Sequence, residues 1–162
     1  MDFFNAGCQE LPFNHTVFGL CDDENGKKAY TNVNDPIRWV ATVNNDNRRT
    51  VIFTAIDKCV IKDNEFLGRG RCDCMLTTED HLFLIELKNQ IPPWQSHAID
   101  QLESTIQFLI ETHPDISNYK HKKAFACNKR REKFVVIDNE LNCSFFRRYK
   151  FRIDIQAEIV II

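Results

Sequence analysis

Residues His81–Lys88 constrain the fold more than any other segment of this sequence. The segment is His-Leu-Phe-Leu-Ile-Glu-Leu-Lys, with consecutive apolar side chains, so both faces of a strand here would be apolar. A strand of this kind belongs in the centre of a sheet. Only Glu86 and Lys88 interrupt the apolar pattern near its end, and because they are two residues apart they share one face of the strand.

The preceding segment, 71–77, is predicted to pair with this strand as an antiparallel hairpin. A four-residue loop, 78–81, joins them, because the sequence lacks the Gly that a two-residue turn prefers. This register places Asp73 directly opposite Glu86, with their Cβ atoms about 5 Å apart, on the face that also carries Lys88. The sequence therefore predicts two carboxylates and an ammonium group on one side of a sheet.

Two carboxylates this close repel each other unless a cation lies between them. Oxygen ligands that leave room for water suit Mg²⁺ or Mn²⁺. Such an ion would hold a phosphate oxygen and lower the pKa of an attacking water. Lys88 would orient or deprotonate that water, or neutralise charge in the transition state. The alternative is that Lys88 and Glu86 form an ion pair on a solvated surface.

The other segments predict a single domain with a mixed α/β or α+β sheet, for which the length of 162 residues is suitable. The predicted elements are a hairpin of strands 16–21 and 29–33 around an Asn-Gly turn, a helix over 36–43, one or two strands in 50–61, strands 71–77 and 81–88, a helix over 94–112, strands 122–127 and 134–137, and a final strand over 151–159. The domain divides into an N-terminal hairpin extension at 1–34, a core at about 35–127 and basic C-terminal strands at 128–162.

Charge is distributed unevenly along the chain. The formal net charge is −2, yet residues 119–152 contain eleven Lys or Arg against three Asp or Glu, which leaves the remainder acidic. Such asymmetry indicates an anionic partner, although a solvated basic face is the plain alternative. The candidates for phosphate contact are Arg69, Arg71, Lys122, Lys123, Lys129, Arg130, Arg131, Arg147 and Arg148.

Composition also bears on the compartment. The first residues lack the basic and apolar segments of a signal peptide, and no apolar stretch approaches the roughly 18 to 20 residues of a membrane helix. The seven Cys are accordingly predicted to be reduced thiols of a cytoplasmic protein. Cys72 and Cys74 are predicted to be buried thiols on the face opposite Asp73, with zinc binding together with Cys59 or Cys127 as the alternative.

Three segments together resemble the PD-(D/E)XK nuclease superfamily, which has the restriction-endonuclease-like fold: Arg-Cys-Asp73-Cys-Met-Leu, then Leu-Phe-Leu-Ile-Glu86-Leu-Lys88, then Ala-Ile-Asp-Gln101-Leu-Glu-Ser-Thr. The resemblance covers roughly residues 50–127 and implies a core of helix, three strands, helix and strand. It implies that Asp73 and Glu86 hold the metal and that Lys88 and Gln101 complete the catalytic site.

The resemblance implies a Mg²⁺- or Mn²⁺-dependent nuclease, with DNA favoured over RNA as the substrate. Small resolvases and defence nucleases are the most similar members in size. At this length a lone active site cuts one strand, so a homodimer or a larger assembly is expected for cleavage of both strands.

The sequence departs from the family pattern in two places. Cys72 stands where the motif has the Pro of its name. Many members also carry a Glu on the first core helix, but the predicted helix 36–43 contains no acid, which leaves Asp35, Asp57 and Glu24 as substitutes. The alternative function is therefore a catalytically inactive member of the fold that binds nucleic acid or, like an immunity or inhibitor subunit, a protein partner.

Overall fold

The computed structural model describes residues 1–130 and 139–162, which form two mixed sheets and two α-helices. The strands are β1 (Val17–Cys21), β2 (Tyr30–Asn32), β3 (Ala41–Asn44), β4 (Ile52–Ala55), β5 (Cys74–Thr77), β6 (His81–Lys88), β7 (His121–Asn128), β8 (Arg152–Ile155) and β9 (Glu158–Val160). The helices are α1 (Gln95–Thr112) and α2 (Asn139–Tyr149). Neither of these two helices of the described chain is long and apolar enough to cross a membrane. The mixed α/β class is thus confirmed.

The larger sheet has five strands in the order β4-β5-β6-β7-β8. β4, β5 and β6 are antiparallel neighbours, whereas β6, β7 and β8 run parallel. Parallel neighbours need a crossover connection, and α1 and α2 lie in the two crossovers and pack on one face of the sheet. β6 is therefore central, and all eight of its residues are buried, as its apolar sequence predicts.

The smaller sheet, in the order β2-β1-β3-β9, covers the other face of the larger sheet. The core consequently has two layers. Leu82 and Leu84 pack under the helices, whereas Phe83 and Ile85 pack against the smaller sheet. This division follows from the alternation of side chains along β6.

The register of the β5–β6 hairpin is the predicted one. Cys74 pairs with Ile85, and the same register extended by one residue brings Asp73 opposite Glu86. The loop 78–81 is closed by its first N–H, which donates to the carbonyl of its last residue at 3.0 Å. The β1–β2 hairpin, the helix over 94–112 and the strand over 122–127 are also confirmed, each within about two residues.

The prediction of a helix over 36–43 is wrong. Only Pro36–Arg38 forms a turn of 3₁₀ helix, and the chain then continues into β3. Asp35 makes no side-chain capping bond, and Trp39 already has extended backbone angles, with φ −70° and ψ 125°. The next residues include β-branched side chains and pair with both β1 and β9, which outweighs the helix-start signal of one Pro. The described residues 1–94 accordingly contain no α-helix, so the expected first core helix is absent.

The prediction of strands over 128–162 is wrong where α2 forms. Leu141, Phe145 and Tyr149 recur at helical spacing and pack on the helix-side layer of the core. The same spacing is present in the sequence, but the Arg and Lys residues of this segment favoured its interpretation as a basic segment only. The predicted strand 134–137 lies outside the described residues.

The single strand predicted over 151–159 is divided in two. β8 completes the edge of the larger sheet beside β7, and β9 joins the smaller sheet beside β3. Gln156 and Ala157 lie between them, and each forms a backbone hydrogen bond, to Ala126 and Thr42 respectively. The C-terminal segment therefore ties the two sheets together.

The prediction that every Cys is a reduced thiol is wrong for two of them. A disulfide joins Cys8 to Cys59 and links the N-terminal segment to the connection between β4 and β5. Cys72 and Cys74 are buried, as predicted, but they lie in different layers of the core. The prediction that both thiols lie on the face opposite Asp73 is therefore wrong for Cys72, which packs in the helix-side layer with Leu82 and Leu84.

Candidate active site

Glu86 and Lys88 form a buried ion pair near the carboxyl end of β6. Lys88 Nζ lies 2.7 Å from Glu86 Oε1, and the two residues are only 8% and 2% exposed. They face α1, because Leu82 and Leu84, at the same alternation along the strand, pack under the helices. This burial excludes the alternative of an ion pair on a solvated surface.

Gln101 of α1 holds the lysine from the other side. Its Oε1 accepts a hydrogen bond from Lys88 Nζ at 2.7 Å, and its Nε2 donates to the carbonyl of Arg71 at 3.1 Å. A Cβ atom at Gly70 would lie 3.2 Å from the Gln101 Cα, so the absence of a side chain there permits this close approach. The amide therefore connects the lysine to the segment that precedes β5.

Asp73 lies one residue before β5, opposite Glu86. Its Oδ2 accepts a hydrogen bond from the backbone N–H of Leu87 at 2.6 Å, which joins the carboxylate to the neighbouring strand. The adjacent Cys72 N–H donates to Thr105 Oγ1 of α1 at 2.8 Å. Backbone contacts on both sides thus hold this segment between β6 and α1.

Burial dominates the electrostatics of both carboxyl groups. It raises the pKa of Asp73 to about 7, although the N–H of Leu87 opposes part of the rise. It also raises the pKa of Glu86 well above the ordinary range, with Asp73 adding to the rise and Lys88 opposing it. Within the described chain Glu86 Oε2 has no hydrogen-bond partner. The site therefore holds more acceptor capacity than its own donors satisfy, and it favours a proton or a cation.

Two further acids, Asp57 and Asp22, lie close enough to raise the pKa of Asp73. Asp57 raises the pKa of both Asp73 and Glu86, and its Oδ1 pairs with Arg71 Nε at 2.6 Å. Of the three substitutes considered for the missing helix acid, Asp57 is thus the one near the site. Asp35 instead pairs with Arg38 at 3.2 Å, and Glu24 is exposed in the β1–β2 turn.

Asp22 is the acid that sequence reasoning missed. It directly follows β1, and among the charged neighbours it contributes most to the raised pKa of Asp73. Its Oδ1 also accepts a hydrogen bond from the Glu24 N–H at 2.9 Å. No local pattern could have identified it, because its proximity to β5 arises only when the two sheets pack together.

The donor set can be tested for its fit to a divalent metal. The described residues contain no group of three or more His, Cys, Asp or Glu side chains arranged to hold an ion. Asp73 and Glu86 offer two carboxylates, one of which has the unpartnered oxygen. Mg²⁺ usually keeps several waters and is bound through one or two carboxylates, so this donor set fits it better than a metal that requires an all-protein cage.

Two of the predicted phosphate-binding residues lie beside this site. Lys129 and Arg130 directly follow β7, whose end is in register with Lys88. The Lys129 N–H donates to the Lys88 carbonyl at 2.8 Å, and Arg130 Nε donates to Asn89 Oδ1 at 3.3 Å. Arg71 is also near, although it is held by Asp57.

The other predicted phosphate contacts are more distant. Lys122 and Lys123 lie at the opposite end of β7, in register with Leu82 and Phe83. The guanidinium of Arg69 lies over the Phe108 ring, 3.4 Å from its centroid, towards the other end of α1.

Arg147 and Arg148 lie on α2, and Arg148 pairs with Glu103 at 3.3 Å. Arg131 lies outside the described residues. The described basic residues therefore do not form one surface around the carboxylates: Lys129 meets the site through a backbone hydrogen bond to Lys88, and Arg71 through one from Gln101 to its carbonyl.

The thiols do not assemble as the zinc alternative requires. Cys72 and Cys74 lie in different core layers, and Cys59 is joined to Cys8. Burial raises the pKa of the Cys72 and Cys74 thiols well above the ordinary value, which disfavours the thiolate form that binds zinc.

Comparison of the chain with protein-family models, with curated proteins and with solved structures finds no match in any of the three. The geometry of the site is therefore the basis for a functional assignment. It defines a mixed α/β protein in which a buried carboxylate–lysine–glutamine cluster lies at the end of the central strand.

Proposed function

We propose that this protein is a metal-dependent nuclease that hydrolyses phosphodiester bonds of nucleic acid, with DNA favoured over RNA. The observation that carries the proposal is the buried, unpartnered oxygen of Glu86, in a side chain that also pairs with Lys88 and lies opposite Asp73. The resemblance of these three residues to the PD-(D/E)XK motif supports the same class of activity.

In this proposal Asp73 and Glu86 hold Mg²⁺ or Mn²⁺. When bound, the ion supplies stabilisation of charge on a phosphate oxygen and a water of lowered pKa. Lys88 has three N–H donors, of which Glu86 and Gln101 accept two. The third N–H can donate to a phosphate oxygen or to the attacking water. Gln101 is a positioning residue, because it acts on the reaction through the lysine.

The charge near the site supports an anionic polymer as the substrate. Lys129 and Arg130 follow β7 next to Lys88, and both side chains are exposed. Cations that follow the strand beside Lys88 would attract a phosphate backbone that the carboxylates alone would repel.

The decisive experiment measures nicking of a supercoiled plasmid in the presence of Mg²⁺ or Mn²⁺. Wild-type protein is expected to nick the plasmid, and EDTA is expected to abolish the activity. Glu86→Gln, Asp73→Asn and Lys88→Met should each lose it, because each removes a metal ligand or the cation beside the metal.

Matched controls are available on the surface. Asp115→Asn and Lys27→Met make the same chemical changes at exposed positions and should nick the plasmid at the wild-type rate. Full activity in Glu86→Gln, or activity that persists in EDTA, would refute the assignment of the site.

The second candidate function is a nucleic-acid-binding module without catalysis. It is favoured by the lack of an α-helix in residues 1–94, which leaves the site without the helix acid that many members of the superfamily carry. It predicts that wild-type protein is inert towards DNA and RNA with either metal, yet shifts labelled DNA on a gel in a salt-dependent manner. Capture of a protein partner without either result would instead support an immunity- or inhibitor-type module.

A further inference from the structure

A second surface, at the β8 edge of the larger sheet, combines an exposed aromatic ring with cations. Phe146 of α2 is 43% exposed. Lys150 Nζ lies 5.5 Å from the centroid of its ring, and the guanidinium carbon of Arg152 lies 5.3 Å from it. The ring borders a cleft of about 270 Å³, here called the α2–β8 cleft. The cleft is lined by Asn139, Asn142, Cys143, Phe146, Arg147 and Arg152.

Three cations of this surface form no ion pair with any acid that the structure describes. No ion pair within residues 1–130 and 139–162 involves Arg147, Lys150 or Arg152. The neighbouring Arg148 differs, because it points to α1 and pairs with Glu103 at 3.3 Å. Unpaired like charges repel each other, and an anion that bridges them relieves the repulsion.

The cleft is held in shape by the backbone beneath it. Asn142 of α2 forms two hydrogen bonds with Ile153 of β8: its Nδ2 donates to the carbonyl and its Oδ1 accepts from the N–H, each at 3.2 Å. Phe145, next to Phe146 in sequence, is buried in the helix-side layer and anchors the helix. A preformed cleft loses little conformational freedom when a ligand binds.

The cleft lies at the edge of the larger sheet beside the helices. The Tyr149 hydroxyl donates to Glu103 Oε1 at 2.6 Å and packs α2 beside α1, which carries Gln101. Lys123 of β7, in register with Arg152 of β8, leaves the sheet on the face opposite the helices and pairs with Asp154 at 3.8 Å, so it is not part of this surface.

We propose that the α2–β8 cleft binds an unpaired nucleotide of single-stranded nucleic acid, with the base stacked on Phe146 and the adjoining phosphates contacted by Arg147, Lys150 and Arg152. An aromatic platform flanked by cations is the arrangement that binds single strands, since every base offers a π-face and every linkage a charge. A duplex is disfavoured because its bases already stack on one another. The choice of nucleic acid as the ligand rests on the proposed function.

The test is fluorescence anisotropy with a labelled oligothymidylate about 12 nucleotides long, in EDTA so that no cleavage occurs. Phe146→Leu is expected to weaken binding about tenfold, whereas Phe146→Tyr keeps the ring and should bind as wild type does. Arg147→Ala combined with Lys150→Ala should lower the slope of log affinity against log salt by about 1.4. Lys27→Ala combined with Lys28→Ala removes the same charge from an exposed turn and should change neither value.

Stacking and charge are separated by two further probes. An abasic strand of the same length should bind more weakly than the oligothymidylate and be insensitive to Phe146→Leu. Equal binding of the two strands, equal loss in the lysine control variant, or equally tight binding to phosphatidylserine vesicles would overturn the proposal in favour of a general anionic or membrane surface. Failure of the wild-type protein to bind the oligothymidylate would overturn it as well.

Failure of the α2–β8 cleft to bind a single strand can be distinguished from failure of the proposed nuclease activity. Oligothymidylate binding that depends on Phe146, in a protein that does not nick plasmid, supports the cleft and refutes the nuclease. Plasmid nicking by a protein whose oligothymidylate binding is unchanged by Phe146→Leu and by the double variant refutes the cleft alone.

Discussion

The two ends of β6 bury titratable side chains in contrasting ways. At the carboxyl end Glu86 pairs with Lys88 opposite Asp73, whereas at the amino end His81 is 1% exposed and stacks on His121 with ring centroids 4.6 Å apart. Burial raises the pKa values of the acids but lowers that of His81 to about 4. The same low exposure thus favours a neutral group at each end, and only the carboxyl end has groups that a cation can bring back to the charged form.

At the amino end of β6, the surroundings of His81 favour its neutral form. Thr78 Oγ1 lies 2.8 Å from His81 Nδ1, and within the described chain Nε2 has no hydrogen-bond partner. After burial, the cationic neighbours are the main reason that a proton on His81 is disfavoured. The charged and titratable groups that face it are His121, Arg49, Asp80 and Lys123. Two acids whose charged forms a cation would favour and a histidine whose neutral form is favoured therefore lie at opposite ends of one strand.

The largest effect is expected when the ion pair itself is replaced. Glu86→Leu combined with Lys88→Leu should reduce plasmid nicking by about a thousandfold or more, since both a ligand and the cation are lost. The same double variant should unfold in urea with a free energy equal to the wild-type value or up to about 4 kcal/mol higher, because apolar side chains need no desolvation.

Lys88→Leu alone provides the control for that measurement. It leaves the Glu86 carboxylate buried without its cation and should cost about 3 kcal/mol. A double variant that is as unstable as this single variant would show that the Glu86–Lys88 ion pair stabilises the fold. The carboxyl end of β6 would then have a structural role, as the amino end does.

Asp73 should make the protein less stable as the pH rises. Its folded pKa of about 7 lies above its ordinary value of 3.8, so its stabilising contribution is full below about pH 4 and is lost as the pH rises through 7. Without added metal, the unfolding free energy should fall by roughly 3 kcal/mol over this window. Asp73→Asn should make the profile less steep, with the raised pKa of Glu86 accounting for the dependence that is left, whereas Asp115→Asn should leave it unchanged.

His81 should act in the opposite direction. Its folded pKa of about 4 lies below its ordinary value of 6.5, so its contribution is full above pH 6.5 and is lost as the pH falls through 4. The loss should be roughly 2 kcal/mol by thermal unfolding. His81→Phe, which keeps a ring beside His121, should remove this dependence. The same change at the exposed His97 should not, and an unaltered acid profile in His81→Phe would contradict the explanation.

The smallest effect is expected at Gln101. Gln101→Ala frees Lys88 from one of its two acceptors, so kcat should fall about tenfold while KM for the plasmid stays unchanged. Gln101→Glu restores an acceptor and should recover part of kcat, with a changed pH profile because the new group titrates. A rise in KM alone would place Gln101 in substrate binding instead of positioning.

The hairpin at the centre of the site could be predicted because its register depends on local information. The apolar run of β6, the loop 78–81 and the alternation of side chains together determine which residue faces Glu86. The spacing of apolar residues likewise predicted α1, and the resemblance to the PD-(D/E)XK pattern indicated Gln101 on it. These features require only neighbours in sequence.

The remaining features depend on tertiary contacts. β3 forms because β1 and β9 pair on both of its sides, and β9 is more than a hundred residues away in sequence. Asp22 approaches Asp73 only after the two sheets pack, and Arg69 is drawn to Phe108 and Glu111 on α1. A long cationic side chain in a loop can reach several partners, so composition alone cannot say which one it contacts.

The C-terminal segment contributes an edge strand to each sheet, and this affects how the nascent chain folds during translation. β8 and β9 supply one edge of each sheet, so a chain leaving the ribosome exposes the edges of both β7 and β3 until residue 160 has emerged. Unpaired strand edges attract other strands. Nascent chains of this protein should therefore depend on chaperones until translation has passed β9, and premature stop codons upstream of β8 should yield aggregates.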